Sequence, residues 1–339
     1  MTVLKDSCHR PINYLRISIT DRCNLRCIYC LPVDGACLLP RDNMLSYEEI
    51  VAVTRIAADL GINKVRLTGG EPLVRANLIH LIAKLSEIDT IDDISLTTNG
   101  ILLKEFALDL KKAGLKRVNV SLDSLKPDKF EYITRHNKLD EVLQGIEAAR
   151  EAGLNPVKIN MVAMRGINDD EILDFARRTI TDGWHVRFIE VMPFNDDSNE
   201  VCSAINKNNS HNDYQFIAVQ ELVECITGLG LLEPVSSIRG NGPAKYYRFS
   251  GATGTIGFIS PVSQCFCDQC NRLRLTADGK LRPCLLSDKE IDIREVLRTS
   301  ASPERLREVI MDAIEAKPRR HHLSQGEHPH KRFMSQVGG

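Results

Sequence analysis

No apolar run in this 339-residue chain approaches the length of a membrane span, and no charged-then-apolar leader follows Met1. The expectation is a cytoplasmic protein without a membrane partner. An excess of one charge is also missing. Lys and Arg number 44 against 45 Asp and Glu, a net charge of −1. No global field is therefore available to hold nucleic acid, and any polyanion must be met by locally gathered cations. Internal repeats are absent beyond a βα alternation. Cysteine, by contrast, is plentiful: there are eleven, six of them in two tight sets. In a leaderless chain that usage argues for metal ligation in a reducing compartment and against disulfides. The length suffices for one large domain or for a large and a small one.

From residue 14 onward, short β-like runs alternate with helical stretches. Strands are expected at 14–20, 64–68, 93–97, 117–121, 156–162 and 186–189. Helices are expected at 46–61, 77–87, 104–113, 139–152 and 169–181, the first opened by the capping box Ser46-Tyr47-Glu48-Glu49. Six such units imply a parallel sheet with helices outside. Strands buried on both faces should be nearly continuous Val, Ile and Leu, yet here one side of most strands is polar. Arg16 and Ser18 alternate with Leu15, Ile17 and Ile19; Lys64, Arg66 and Thr68 with Val65 and Leu67; Lys158 and Asn160 with Val157, Ile159 and Met161. Ser95 and Thr97 flank Leu96, and Asn119 and Ser121 alternate with Val118 and Val120. A single such residue often marks a wet strand end. Five strands together imply a polar interior, and hence a wet, partly open barrel that holds a polar ligand.

Within Cys23-Asn24-Leu25-Arg26-Cys27-Ile28-Tyr29-Cys30, closely followed by Pro32, three thiols sit at C-x-x-x-C-x-x-C spacing. Zinc normally takes paired C-x-x-C sets, and no fourth ligand lies nearby. A 4Fe-4S cluster usually takes four thiolates, so a three-cysteine loop leaves one iron open to a ligand from outside the protein. Cys267, Cys270 and Cys284 form a second incomplete set. Between them, Arg272-Leu273-Arg274-Leu275-Thr276 turns through Asp278-Gly279 and returns along Lys280-Leu281-Arg282-Pro283. Alternation places Arg272 and Arg274 on one face, opposite the leucines, which suits a substrate carrying a phosphate. The competing reading is a closed zinc site with Cys265 as the fourth thiolate.

The first loop, with its aromatic just before the third cysteine, resembles the signature of radical S-adenosylmethionine (SAM) enzymes. Together with Thr68-Gly69-Gly70-Glu71-Pro72, Thr97-Thr98-Asn99-Gly100, the 267–284 hairpin and the terminal Gly338-Gly339, it resembles the GTP 3′,8-cyclase family of molybdenum cofactor biosynthesis over about residues 10–339. That resemblance implies an α/β fold, a partial (βα)6 radical SAM barrel with a smaller C-terminal region carrying a second 4Fe-4S cluster. It implies conversion of GTP to (8S)-3′,8-cyclo-7,8-dihydroguanosine 5′-triphosphate, started by an adenosyl radical that removes the ribose C3′ hydrogen. Cys23, Cys27 and Cys30 would bind the SAM cluster, and Cys267, Cys270 and Cys284 the other. Tyr29, Gly70, Ser121 and Met192 would contact SAM; Arg16, Arg66, Thr97, Lys158, Arg272, Leu273 and Arg274 would contact GTP. Gly338 and Gly339 would reach the active site and act in turnover.

The implied partners are a reductant and a downstream cyclic pyranopterin monophosphate synthase, and a homodimer is compatible with them. The expected division is an N-terminal segment at 1–13, the barrel at 14–194, a polar loop at 195–215, a C-terminal region at 216–316 and a basic tail at 317–339. Within the C-terminal region a helix is expected near 219–226, β-rich runs at 245–249 and 255–259, and a last helix over 303–316. Two other readings stay open. One is a radical SAM enzyme that modifies a peptide and uses an auxiliary cluster, and the other is a metal-binding sensor without turnover.

Overall fold

The computed structural model describes residues 4–31, 38–194, 216–236, 242–299, 302–323 and 329–338. Pro32, Cys202, the 195–215 loop and Gly339 lie outside the described residues. Six strands alternating with helices come first: β1 (Tyr14–Ser18), α1 (Tyr47–Asp59), β2 (Lys64–Thr68), α2 (Leu78–Ser86), β3 (Asp93–Thr98), α3 (Leu103–Lys112), β4 (Arg117–Ser121), α4 (Pro127–Thr134), α5 (Leu139–Glu151), β5 (Lys158–Ala163), α6 (Ile172–Thr181) and β6 (His185–Glu190). There follow α7 (Val219–Thr227), β7 (Leu232–Pro234), β8 (Lys245–Phe249), β9 (Thr255–Ile259), β10 (Arg272–Leu275), β11 (Lys280–Arg282), β12 (Ile291–Asp292), α8 (Arg294–Arg298), α9 (Pro303–Glu315) and α10 (Met334–Val337).

All strands join one open sheet in the order β12-β11-β10-β1-β2-β3-β4-β5-β6-β9-β8-β7. Strands β1 to β6 are parallel neighbours, as right-handed βα crossovers require. Among the described residues, the C-terminal strands make no sheet of their own. β10 pairs parallel with β1, and β9 parallel with β6, so the later chain extends the barrel at both edges.

Local sequence explains the outer layer. Ser46 Oγ accepts from the Glu49 amide at 3.1 Å while Glu49 Oε2 accepts from the Ser46 amide at 2.6 Å. This closed box starts α1, whose Ile50, Val53 and Ala57 face the core. Ser302 caps α9, Pro303 occupies its first turn, and Leu306, Val309, Ile310, Ala313 and Ile314 are buried. Whereas Val162 and Ile189, on the opposite phase, line a cavity, the apolar residues that alternate along β1 to β6, Leu15 and Ile17 through Ile159 and Val186, lie in one hydrophobic core against these helices. Their polar neighbours point the other way, into the barrel.

Two expectations need correction. A helix at α4, begun by Pro127 and ended by Arg135 at φ 61, was not read from the sequence. Leu273, expected beside substrate, has its side chain in the apolar core, because period two turns it away from Arg272 and Arg274.

Candidate functional site

Two cavities of ≈ 1000 Å³ and ≈ 1010 Å³, mouths included, have Ile189 and Met192 in both linings and so lie next to each other. The first lies at the C-terminal ends of the strands, where loops bring polar groups together. Cys23, Cys27, Cys30, Tyr29, Gly70, Thr97, Ser121 and Met192 line it, with Asn99, Asp123, Met334 and Ser335. Neighbouring loops hold the cysteine loop in place. Arg26 and Ile28 amides donate to Thr134 and Ile133 carbonyls at the end of α4 (3.0 and 2.9 Å), and Arg135 Nη1 donates to the carbonyls of Arg26 and Leu31. Gly70 is required here by backbone crowding, since a Cβ would collide with the carbonyls of Asp21 and Arg22. Glu71, fully buried, accepts from the Asn99 amide at 2.6 Å and Thr98 Oγ1 at 2.8 Å, and burial pushes it up to about 7. Asn99 Nδ2 donates to Asn24 Oδ1 at 2.7 Å, tying the third strand's loop to the cysteines.

Burial pushes the Cys23 thiol up to about 11 and Cys30 to about 12, and lifts Cys27 well above the usual thiol range. Such thiols ionise where a cation takes the place of the proton. Three soft sulfurs around one cavity fit an iron-sulfur cluster with an open iron.

Register builds the second cavity. Pairing of β10, β1 and β2 sets Arg274, Arg16 and Arg66 side by side, with Arg272 beside Tyr14 one step back. Arg187 on β6 joins them, and so do Cys267, Cys270 and Cys284. Burial, then repulsion among the guanidiniums, lowers Arg16 well below its ordinary value and brings Arg66 and Arg274 to about 10. Lys158 lines neither cavity. It is buried, its Nζ 5.2 Å from the centre of the Tyr246 ring. On the thiol side, Lys317 Nζ donates to the Arg272 and Pro283 carbonyls at 2.8 and 2.7 Å. Burial pushes Cys270 up, but Lys317 and Arg272 outweigh it and bring the thiol to about 7. Arg10, paired with Asp6 at 2.6 Å, donates to the Cys267 carbonyl at 2.8 Å, so the N-terminal segment also supports this loop.

The end of the chain enters between the two thiol sets. Phe333 packs with Leu31 against Cys23 and Cys30, α10 lines the first cavity, and Arg274 Nη1 and Arg16 Nη2 donate to the Gly338 carbonyl at 2.7 and 3.2 Å. Of the residues expected at the site, both cysteine trios, Arg16, Arg66, Arg272, Arg274, Tyr29, Gly70, Thr97, Ser121, Met192 and Gly338 are thus gathered in or against two neighbouring cavities, Thr97 in the first with the SAM-side residues. Arg187, Lys317, His321 and Asp123 were not singled out from sequence. Only Arg187 carried a signal, its alternation with Val186 and Phe188.

Residues 17–179 match the radical SAM superfamily and residues 184–323 match the family described as Molybdenum Cofactor Synthesis C. The GTP 3′,8-cyclase of Desulforamulus reducens is 51% identical over 335 residues, 98% of this chain and 99% of its own. That of Thermodesulfovibrio yellowstonii is 51% identical over 339 residues, 99% and 100% of the two chains. Among solved structures, Streptococcus suis SuiB shares the fold at TM-score 0.58 and 14% identity over 91% of this chain and 66% of its own. The anSMEcpe structure with bound AdoMet does so at 0.55 and 14% over 90% and 81%. With half its sequence in common with such relatives from end to end, the chain belongs to the GTP 3′,8-cyclase family of radical SAM enzymes.

Proposed function

We propose that this chain is a lyase that converts GTP to (8S)-3′,8-cyclo-7,8-dihydroguanosine 5′-triphosphate, the first step of molybdenum cofactor biosynthesis, with one cavity for each reactant. Cys23, Cys27 and Cys30 would hold a 4Fe-4S cluster, and Tyr29, Gly70, Ser121 and Met192 would seat SAM upon it. Cys267, Cys270 and Cys284 would hold a second cluster facing the nucleotide. When bound, the first cluster and SAM supply a hydrogen-abstracting adenosyl radical.

The protein's own part is placement and charge. The observation that carries the reading is the in-register row Arg274, Arg16 and Arg66 beside the second thiol set. Planar guanidinium forks suit phosphate oxygens. With Arg272 they form a cradle for a nucleoside triphosphate, in which Leu273 takes part through its main chain alone; Thr97 would meet the nucleotide from the first cavity, and Lys158, outside both cavities, would act on it through its charge. Ile189 and Met192, common to both cavities, set the separation between the ribose and the adenosyl group. Gly338, with Gly339 beyond it, would bring the chain end against the cradle through Arg16 and Arg274. The division into a barrel at 14–194 and a C-terminal region at 216–316 is kept as part of this reading, with both regions contributing to the second cavity. A reductant and a cyclic pyranopterin monophosphate synthase acting on the product are its partners in a cytoplasmic setting. An enzyme acting on a peptide would have no use for cations gathered inside its barrel.

Anaerobic incubation with GTP, SAM and a reductant tests this reading. The expected result is 5′-deoxyadenosine together with a cyclised nucleotide, from protein holding about eight irons. 5′-Deoxyadenosine without GTP consumption would overturn the substrate, and four irons plus one zinc the second cluster.

A further inference from the structure

Overlapping the second thiol set at Cys267 lies a group of ligating atoms of which two, from Cys265 and His321, have no part in the proposed reaction. Sulfurs of Cys265 and Cys267 and a ring nitrogen of His321 all lie within 4.8 Å of one another. A tetrahedral ion with metal–sulfur bonds of about 2.3 Å and a metal–nitrogen bond of about 2.0 Å holds such atoms roughly 3.5–3.8 Å apart, within reach of side chains already gathered this closely. The His321 Nε2 lies 2.9 Å from the Pro261 carbonyl, which only accepts, so the proton sits on Nε2; Nδ1 accepts from the Leu323 amide at 3.4 Å, a long bond that an incoming metal ion would have to replace. A ring N–H held by a carbonyl is the usual support of a metal-binding histidine. Cys265 is exposed, which gives an ion a way in, and the His321 amide donates to the Cys267 sulfur, fixing the two ligands together.

We propose that Cys265, Cys267 and His321 form a binding site for a thiophilic divalent cation, Zn2+ in particular, with water as the fourth ligand. The site and the second cluster exclude each other, a consequence that rests on the assignment of Cys267 to that cluster. Zinc captured here before cluster assembly withholds one of three thiolates and leaves Cys270 and Cys284 unable to complete the set. The exposed Cys265 is then the residue through which zinc competes with iron.

The test titrates full-length, cluster-free, reduced chain anaerobically with Zn2+ against a chromophoric chelator, and with Co2+ to read sulfur-to-metal charge transfer. Cys265→Ser and His321→Ala are each expected to lose one equivalent that the wild type binds. The loss in affinity should exceed about 100-fold, the upper end of what removing an outer-shell partner alone costs, while Cys284→Ser retains that equivalent. Zinc loaded first should slow filling of the second cluster in the wild type and not in Cys265→Ser, read as iron per chain. Unchanged zinc binding in both variants would overturn the site. So would loss of the equivalent in Cys284→Ser alone, which would place zinc among the cluster thiols. Failure of wild-type chain to take up a second cluster without zinc would sink the cluster assignment and leave the zinc titration to be judged by itself.

Discussion

Replacing Arg332 with Gln should undock the C-terminal segment without unfolding the protein. Arg332 reaches across to the hairpin with Nη1 and Nη2 3.1 and 2.9 Å from the two Asp278 oxygens, and with Nε and Nη2 2.6 and 2.8 Å from those of Glu290. Side-chain exposures are 12% for Arg332, 11% for Asp278 and 20% for Glu290. Burial opposes the charge, but the two carboxylates outweigh it and raise the guanidinium above its ordinary value. A fully buried pair broken on one side costs about 3–5 kcal/mol; an exposed one costs about 0–1 kcal/mol. Here Asp278 keeps Thr276 Oγ1 at 2.6 Å and Glu290 keeps Arg282. The loss is therefore about 2 kcal/mol, or roughly 30-fold in the ratio of docked to undocked tail. It falls on residues 329–338 because the barrel core does not include them, apart from Phe333 on Leu31. Hydrogen exchange should show the amides of 333–338 losing about 30-fold of their protection. Product formation should drop, with iron content and the global unfolding midpoint unchanged. Arg332→Lys, keeping one cation, should recover part of the loss. Tail amides protected as in the wild type would refute the reasoning, as would global destabilisation that tracks the loss of activity.

Gly338→Ala should have a related effect by another route: at φ 68 the residue is left-handed, and a Cβ would collide with Thr68 Cγ2. The backbone penalty alone is roughly 1–2 kcal/mol, so product formation should fall about tenfold or more at normal iron content, and an unaltered rate would show that the Gly338 carbonyl is not needed on Arg16 and Arg274. Asp123 accepts from Tyr29 Oη at 2.7 Å and the Val162 amide at 2.8 Å, and burial pushes it up to about 6. The folded chain thus keeps a proton there that the unfolded chain has lost, so stability from this group is full below about pH 4 and is lost as pH rises through about 6. In Asp123→Asn the unfolding midpoint of cluster-free chain should gain on the wild type between pH 4 and 7; parallel curves would contradict the shift.

Much of this site could be read from local order in the chain. Both cysteine trios are set by spacing within a loop or a hairpin, and period two suffices to turn Arg16, Arg66, Arg272 and Arg274 inward. The same rule sends the Leu273 side chain outward, so within the segment 272–274 only its main chain is left to face a substrate. Arg187 obeyed the rule as well, but with one inward cation on β6 the strand read as ordinary. Lys317 and His321 were beyond reach, because they follow α9 without periodicity and matter only once β10 lies against β1. That pairing joins residues more than 250 positions apart, and no local pattern encodes it. Helix α4 was missed because Lys126 carries no side-chain cap and its signal rests on Pro127 alone. Yet its last turn holds the cysteine loop.

The row of cations has an energetic consequence that links fold to ligand. Like charges buried together weaken the empty barrel, and Asp93, paired with Arg117, offsets only part of that. Lys158 registers the strain: burial, then Arg187, Arg117 and Arg66, bring its amine down to about 6. Between that value and the ordinary one near ~10.4 the folded chain holds fewer protons than the unfolded chain. Stability from this group is therefore present at high pH and lost as pH falls through about 6. A polyphosphate reverses the sign of the local field and restores the proton. Binding of GTP at pH 8 should then take up close to one proton, seen as a dependence of calorimetric binding enthalpy on the ionisation enthalpy of the buffer. Lys158→Met, which keeps the stem and removes the amine, should bind with no buffer dependence and should fold more stably at pH 6 than the wild type. A wild-type binding enthalpy that is the same in every buffer would mean that the triphosphate does not reach the field of these strands, and the nucleotide would have to be sought away from them.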